Sequence, residues 1–305
     1  MRLARARHQG EVVAGLVDGD QLVPFAIEGR DVGPGGAQDA GLTAAMTPDE
    51  PRPSAGPVLA LDDVRLLAPV GRPPSVRDFY AFEAHVATAR RGRGLEVDPD
   101  WYELPFFYFS NPASVVGPGD QVAVPRGCAE LDYELEVAAI VGVEATDVDP
   151  ERWREVVAGF CIMNDWSARD LQRREMRQGL GPAKGKDFAL SLGPELVTPD
   201  ELLAVASGRP EAAMVARVNG VERSRGQLAD IHHPWGDLLA HASRSTTLRP
   251  GDVIGSGTVG TGCILELALT HGPDAQPWLE PGDLVELEVD GLGTLANPVV
   301  PTRLP

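Results

Sequence analysis

The chain has 305 residues, of which 43% are hydrophobic and 24% charged, a composition typical of a globular protein that can bury a large core. Its 45 acidic residues against 27 lysines and arginines give a net charge of -18, which argues against nucleic acid and anionic membranes as partners. No apolar run approaches a transmembrane length, residues 1–8 lack the apolar core of a signal peptide, and three scattered cysteines fit a reduced compartment. We therefore expect a cytoplasmic protein.

The N-terminal part of the chain predicts a small β-rich domain. Residues 2–27 have the pattern of short strands joined by tight turns, including an Asp-Gly step at Asp18. Residues 29–57 are rich in Gly, Pro and Ala and predict a loop-dominated connection. We place a boundary near residue 70, which gives domains over 1–70 and 71–305.

Periodicity in the middle of the chain predicts helices between strands. Apolar residues within 82–89 recur at helical spacing, and Asp78 is placed to cap that helix. A helix is also predicted over 168–178, with Ser167 or Asp165 as its cap. Further predicted elements are helices over 150–158 and 234–245 and strands over 106–110, 160–163, 213–218, 264–269 and 284–289. The predicted core includes Trp166, Trp235 and Phe106–Phe109.

One stretch, Leu131–Val137, alternates apolar and acidic residues with a period of two, which is a strand pattern. It places Asp132, Glu134 and Glu136 on one face about 6.6 Å apart, where like charges repel unless a cation lies between them. An apolar run follows directly, so these acids lie near a core. Clustered oxygen donors favour Mg²⁺, Ca²⁺ or Mn²⁺, and a half-buried strand with a hydrated acidic face is the alternative.

Lysine usage is uneven. The chain has only two lysines, Lys184 and Lys186, and both lie in a Gly-rich loop over 179–187 that lacks the spacing of a P-loop. An ammonium group is a compact point charge and can shift its pKa, which a guanidinium group cannot. The pair indicates a site that needs lysine, with chance as the alternative.

Four motifs together resemble the fumarylacetoacetate hydrolase family. They are Asp78-Phe79-Tyr80 with His85, Glu134-Leu135-Glu136, Asn164-Asp165-Trp166-Ser167-Ala168-Arg169-Asp170 with Gln172, and the lysine loop with Gly255-Ser256-Gly257-Thr258. The resemblance covers about residues 72–305. It implies an α+β, β-dominated fold, a mixed β-roll or sandwich with inserted helices behind a small β-rich N-terminal domain, and a homodimer.

The resemblance also implies roles for individual residues. The metal ligands are Asp78, Glu134, Glu136 and Asp165, holding Mg²⁺ or, alternatively, Ca²⁺ or Mn²⁺. His85 is the general base, Glu266 on a predicted strand is its carboxylate partner, and Lys186 lies near the metal. Tyr80, Gln172 and Thr258 are substrate contacts. Physical chemistry agrees with two of these roles. Four carboxylates over-neutralise a divalent ion, so a nearby cation such as Lys186 would relieve the excess negative charge. A histidine that acts as a directed base needs an acceptor at its second ring nitrogen, and Glu266 supplies one.

Several positions depart from the family pattern and bear on the substrate. A tyrosine expected four residues after Gln172 is Met176, and a threonine expected four residues after Lys186 is Leu190. The arginine expected nine residues after His85 is Gly94, with Arg91 and Arg93 close by, and Arg93 is the substrate-contact candidate. A glutamate of pyruvate-type members is Thr88 here, which argues against an oxaloacetate decarboxylase.

These observations predict a metal-dependent hydrolase that cleaves a C–C bond in a fumarylacetoacetate-like or acylpyruvate-like keto acid. The first alternative is an isomerase, hydratase or decarboxylase of a 2-oxo acid that acts through a metal-bound enolate. The second alternative, from another class, is a non-catalytic scaffold that holds a metal.

Overall fold

Strands dominate the structure, a computed structural model that describes residues 1–25, 56–202, 210–272 and 276–302. The predicted connection over 29–57 lies outside the described residues except for its last two positions. Five strands belong to the N-terminal part of the chain: β1 Arg2–His8, β2 Glu11–Asp18, β3 Gln21–Pro24, β4 Leu59–Ala60 and β5 Arg65–Leu67.

The rest of the chain contributes sixteen further strands and six α-helices among the described residues. The strands are β6 Val76–Phe79, β7 Phe107–Ser110, β8 Val115–Val116, β9 Val122–Ala123, β10 Leu131–Asp132, β11 Leu135–Val141, β12 Ala145–Thr146, β13 Val157–Asn164, β14 Ser167–Ala168, β15 Leu190–Val197, β16 Ala213–Val218, β17 Val221–Gln227, β18 Thr247–Leu248, β19 Val253–Gly255, β20 Leu284–Val289 and β21 Gly293–Val300. The helices are α1 Glu83–Arg91, α2 Asp100–Glu103, α3 Arg169–Met176, α4 Pro199–Leu202, α5 Trp235–Ser243 and α6 Ile264–His271.

Two sheets carry the architecture. The larger has twelve strands in the main order β4-β3-β2-β1-β15-β13-β11-β19-β6-β7, with β5 on β1 and β8 on β15. The smaller has the order β17-β16-β20-β21-β9. Because β1 pairs with β15, the N-terminal strands are hydrogen-bonded into the same sheet as the rest of the chain. The domain boundary near residue 70 therefore stays a prediction.

The main core lies between the two sheets. Alternate residues of β11 and β13, such as Val137 and Ile162, pack with Met214 and Leu287 of the smaller sheet. Residues of the opposite parity, such as Ile140, pack in a second cluster on the other face of the large sheet. Both faces of β11 are buried, which explains its nearly continuous apolar sequence. Trp166 and Trp235 are fully buried, as predicted.

The acidic stretch Leu131–Val137 differs from its prediction. Its alternation holds, because its apolar residues all join the main core. The strand is interrupted, however, at Tyr133 and Glu134, between β10, which pairs with β14, and β11, which pairs with β13. The hydrated acidic face is also excluded, since Asp132, Glu134 and Glu136 are 0%, 4% and 0% exposed.

Three predicted helix starts are corrected. Asp78 caps no helix, because it lies in β6 between Gly255 and Tyr108 of the flanking strands. Helix α3 begins at Arg169 without a side-chain cap, since Ser167 pairs with Asp132 in a strand ladder. In place of the predicted helix over 150–158, the structure has a 3-10 helix, Pro150–Glu155. Residues 157 and 158 belong to β13 instead, because β-branched residues such as Val157 favour strands.

Part of the predicted core is exposed. Phe106 and Phe109 are 43% and 64% exposed, because β7 is the last strand of the large sheet and has no neighbour beyond it among the described residues. Arg77 covers part of Phe109, with its guanidinium carbon 5.1 Å from the ring centroid. Among the described residues, no helix combines the length and apolar character needed to cross a membrane.

Close backbone packing beside β19 generates a stability prediction. Gly257 has φ +78°, and a Cβ there would lie 2.2 Å from the carbonyl oxygen of Phe79. We expect Gly257→Ala to lower the free energy of unfolding by the cost of the left-handed conformation, about 1–2 kcal/mol. Overpacking adds roughly another 1–3 kcal/mol. Urea unfolding curves measure the change.

Gly119→Ala is the matched control, because Gly119 has φ +72° and open space around the added Cβ. It should show the conformational cost alone. Equal losses in the two variants would contradict the claimed contact with Phe79.

Candidate metal centre and catalytic site

The candidate site lies at one end of the large sheet, where three strand segments meet. β11 is antiparallel to both β13 and β19, and β19 is parallel to β6. The end of β6, the start of β11 and the end of β13 therefore lie on the same side. These segments carry Asp78, the Glu134 and Glu136 pair, and Asp165 respectively. The sheet thus brings together four carboxylates from three segments that lie far apart in the sequence.

The four carboxylates form a compact buried cluster. One oxygen of each lies within 4.8 Å of the others, and no member is more than 4% exposed. Asp78 Oδ1, Glu136 Oε2 and Asp165 Oδ1 have no hydrogen-bond partner among the residues that the structure describes. Buried acceptors are rarely left unpaired, and converging carboxylate oxygens are the ligands of hard divalent cations. The donor set therefore fits Mg²⁺, Mn²⁺ or Ca²⁺.

Two buried cations border the cluster. The ammonium group of Lys186 donates to Glu134 and Asp165, and Arg169 Nη2 donates to Glu134 Oε1 at 2.7 Å. Both side chains are less than 5% exposed. Four carboxylates around a divalent ion leave two negative charges in excess, and these two cations offset that excess.

Electrostatics distinguish Glu134 from the other three carboxylates. Burial and the charge of Asp165 raise the pKa of Asp78 well above its usual range, and burial and the charge of Asp78 do the same for Glu136. Burial also raises the pKa of Asp165, against the opposing charge of Lys186. For Glu134, Lys186 and Arg169 outweigh burial and hold the pKa far below its usual range. The other three carboxylates therefore gain most from an added cation.

Neutral donors complete the surroundings of the cluster. Thr258 Oγ1 donates to Glu136 Oε1 at 3.1 Å, and the Tyr108 hydroxyl donates to Asp165 Oδ2. The backbone amide of Glu134 donates to Asn164 Oδ1 at 3.0 Å, which ties the interrupted strand to β13. These contacts orient the carboxylates but do not use the three oxygens that lack a partner among the described residues.

A buried His–Glu pair lies beside the cluster. His85 Nδ1 is 2.8 Å from Glu266 Oε2, an ion-pair distance, although the ring nitrogen is not aligned for a hydrogen bond. The side chains are 7% and 2% exposed. The electrostatic interaction with His85 also contributes to the lowered pKa of Glu134, so the pair is close to the cluster. The sequence thus predicted two residues that the fold does bring together.

The backbone setting of Glu266 was predicted wrongly. Glu266 lies in helix α6 rather than on a strand. Leu, Glu and Ala favour helix, and the buried Ile264 and Leu267 recur at a spacing of three, on one helix face. Cys263 precedes the helix, and its Sγ lies 3.8 Å from Glu266 Oε2. Burial raises the pKa of the Cys263 thiol well above its usual range, so it remains a donor.

The predicted substrate contacts occupy different depths. The half-buried Tyr80 packs edge-on against His85, with ring centroids 5.3 Å apart, and burial raises its pKa. Gln172 is half-buried and accepts from Arg169 Nη1 at 2.9 Å, which leaves its amide nitrogen for other partners. Thr258 is buried against Glu136. Arg93 is exposed, and its charge acts on Tyr80.

Sequence reasoning missed four residues around the site. Arg169 and Asp132 lie inside motifs in which other residues, such as Asp165 and Glu134, received the functional roles. Tyr108 lies in an aromatic run that was assigned to the core. Cys263 adjoins the predicted position of Glu266. An arginine four residues after Asp165 could have been paired with the acidic strand on charge alone. Nothing local distinguishes Tyr108 or Cys263.

Comparison with known proteins covers nearly the whole chain. Residues 75–300 match the family described as fumarylacetoacetate (FAA) hydrolase C-terminal, and residues 1–69 match one described as Rv2993c-like, N-terminal. An oxaloacetate tautomerase, YisK, from Bacillus subtilis is 30% identical over 79% of this chain and 74% of its own length.

Two solved structures share the fold over nearly all of both chains. A fumarylacetoacetate hydrolase from Exiguobacterium antarcticum is 28% identical, with a TM-score of 0.75, over 99% of this chain and all of its own. A 5-carboxymethyl-2-hydroxymuconate delta-isomerase from Mycobacterium smegmatis is 29% identical, with a TM-score of 0.74 and the same coverage. The three similar proteins bear the names of three different reactions.

The unpaired oxygen of Glu136 generates a metal-binding prediction. Glu136→Gln retains the size of the side chain and the Oε1 acceptor for Thr258 but replaces the free oxygen by an amide nitrogen. We expect Mn²⁺ affinity to fall at least 10-fold, since loss of outer partners alone costs about 10–100-fold. Titration calorimetry on chelator-stripped protein measures it.

Glu144→Gln is the control, because Glu144 is exposed and the variant makes the same change in net charge. It should bind Mn²⁺ like the native protein. Native affinity in Glu136→Gln would show that this carboxylate is no metal ligand.

Proposed function

Because the chain belongs to the fumarylacetoacetate hydrolase family, we propose that it is a metal-dependent hydrolase that cleaves a C–C bond in a 1,3-dicarbonyl or β-keto acid. The observation that carries the proposal is the buried His85–Glu266 pair beside the buried four-carboxylate cluster. A fumarylacetoacetate-like or acylpyruvate-like acid is the proposed substrate class. A cytoplasmic homodimer, with a separate N-terminal domain over 1–70, belongs to the same proposal.

The carboxylate cluster is the proposed metal site. Asp78, Glu134, Glu136 and Asp165 would hold Mg²⁺, with Mn²⁺ or Ca²⁺ as alternatives, and the bound ion supplies a Lewis acid for a chelating dicarbonyl. Lys186 and Arg169 hold Glu134 in its ionised form, so this carboxylate is ready to bind a cation without first losing a proton.

His85 is the proposed general base. Glu266 lies against the Nδ1 side of the ring, which leaves Nε2 as the nitrogen that would take a proton from water as the water attacks the substrate carbonyl. The buried position of the pair keeps bulk water away from the transferred proton. After attack, the bond between the attacked carbonyl carbon and the carbon that lies between the two carbonyls breaks. The second fragment departs as an enolate, and His85 returns to it the proton that came from water.

The remaining residues are proposed to orient the substrate and stabilise charge. Lys186 and the free amide nitrogen of Gln172 would donate to the oxyanion that forms on the attacked carbon. Tyr80 and Thr258 would contact the dicarbonyl, and the exposed Arg93 would bind its distal carboxylate. Each such donor contributes roughly 3 kcal/mol to the transition state.

An isomerase or tautomerase is the second candidate. The relative named oxaloacetate tautomerase and the similar structure named delta-isomerase favour it. The same base could move a proton between two carbons or between carbon and oxygen, without attack by water. The two candidates differ in whether a bond between carbon atoms is broken.

A substrate panel followed by NMR tests the proposal. Acylpyruvates, fumarylacetoacetate and oxaloacetate are incubated with Mg²⁺-loaded or Mn²⁺-loaded protein. Hydrolysis yields two acids, whereas isomerisation conserves the carbon skeleton. We expect two acids from at least one dicarbonyl, and a loss of about 10²–10⁴-fold in turnover in His85→Gln and Glu266→Gln.

His271→Gln is the control, since His271 is exposed at the end of α6. It should retain native turnover. Isomerised products without cleaved ones would replace the hydrolase by the second candidate, and native turnover in His85→Gln would remove the proposed base.

Lys186→Arg is predicted to be damaging although it retains the charge. Lys186 is 4% exposed, donates to two carboxylates and lies 5.7 Å from the ring centroid of Tyr108, so a larger planar guanidinium group has no room. We expect turnover to fall by about 10²-fold, the effect of losing one oxyanion donor. Steady-state kinetics and urea unfolding measure both turnover and folding.

Lys184→Arg is the matched control from the same loop. The Lys184 side chain is 71% exposed and pairs only at the surface with Asp187, so its replacement should be nearly silent. Equal impairment of the two variants would argue that the loop, rather than Lys186, is responsible.

A further inference from the structure

Asp132 is the member of the acidic stretch that the metal cluster leaves out. It is completely buried, and it accepts three hydrogen bonds from two different segments of the chain. Its oxygens accept from the backbone amides of Ile264 and Leu265 at 2.8 and 3.0 Å, and from Arg169 Nε at 2.8 Å. Such complete satisfaction is expected for a buried carboxylate, but here the partners lie on both sides of the active site.

The two amides are the first two of helix α6, the helix that carries Glu266. A glutamate at the third position of a helix commonly folds back on the amide of the capping residue. Cys263, the residue at the capping position, makes no side-chain cap. Asp132 supplies the cap from a different strand, and Glu266 instead faces His85. Asp132 therefore fixes where the first turn of α6 lies.

Arg169 continues the connection to the other half of the site. Its three nitrogens donate separately: Nε to Asp132, Nη2 to Glu134 at 2.7 Å, and Nη1 to Gln172 at 2.9 Å. The guanidinium group is planar and rigid, so the directions of these bonds are fixed relative to one another. An unbroken series of buried contacts thus runs from Glu134 through Arg169 and Asp132 to the helix of Glu266.

We infer that Asp132 and Arg169 are positioning residues that set the distance between the carboxylate cluster and the His85–Glu266 pair. The inference rests on the proposed function of both groups. A buried ion pair by itself is weak evidence for stability. Here the pair joins two groups that must act on one substrate, and a misplacement of about 1 Å can cost about 10²-fold in rate.

A double-mutant cycle tests the inference with Mn²⁺-loaded protein and the best dicarbonyl from the panel. Asp132→Asn presents an amide NH₂ group to donors and disturbs the cap of α6. We expect kcat to fall about 10²-fold and KM to change less than about 3-fold. In a Glu266→Gln background, Asp132→Asn should cost less than about 3-fold more, because its effect passes through Glu266.

Two further variants keep the test decisive. Asp132→Glu retains the buried charge but shifts it by one methylene, and should show the same non-additivity if Asp132→Asn fails to fold by circular dichroism. Asp170→Asn is the control, since Asp170 is the neighbouring acid on α3 and accepts from the backbone amide of Ala129 at 2.9 Å. It should retain native kcat.

The outcomes distinguish this inference from the proposed function. Native kcat in Glu266→Gln alone would overturn the proposed His85–Glu266 base and this inference together. A large loss in Glu266→Gln, combined with either no effect of Asp132→Asn or an equal further loss in the double variant, would overturn the inference alone.

Discussion

The burial of four carboxylates in one place is the constraint on which the rest of the site depends. Removing carboxylates from water is costly, and like charges at this separation raise the cost further. The structure meets that cost with Lys186 and Arg169, both buried, and leaves three oxygens without a partner in the described part of the chain. A cluster of this kind has no structural purpose that apolar residues would not serve better, so it indicates a bound cation.

Strand topology explains why this arrangement forms reliably. The order β13-β11-β19-β6 brings the ends of three segments together, and every ladder involved has an apolar core on at least one face. Rigid strands are suited to hold ligand atoms, whereas Glu266, the partner of the proposed base His85, lies on the short helix α6. That helix needs an anchor of its own, and Asp132 supplies it through two backbone amides.

The proposed catalytic groups are compatible with more than one reaction. A base, a buried cluster of acids and an adjacent ammonium group can abstract a proton from water or from carbon, and the outcome depends on what the substrate presents. Of the positions that depart from the family pattern, Met176 is 39% exposed, whereas Leu190 is buried in β15.

The sequence by itself determined the strand alternation of Leu131–Val137, the β-dominated class and the residue types of the site, because periodicity and motif spacing are local properties. Only the tertiary structure decided what Asp132 contacts, namely Arg169 and the first backbone amides of α6. These partners are distant in sequence, since Arg169 is 37 residues away and Ile264 is 132 residues away. It also decided that Glu266 lies on a helix and that Phe109 is exposed at a sheet edge. Such outcomes depend on which distant segments meet, and no local pattern encodes that.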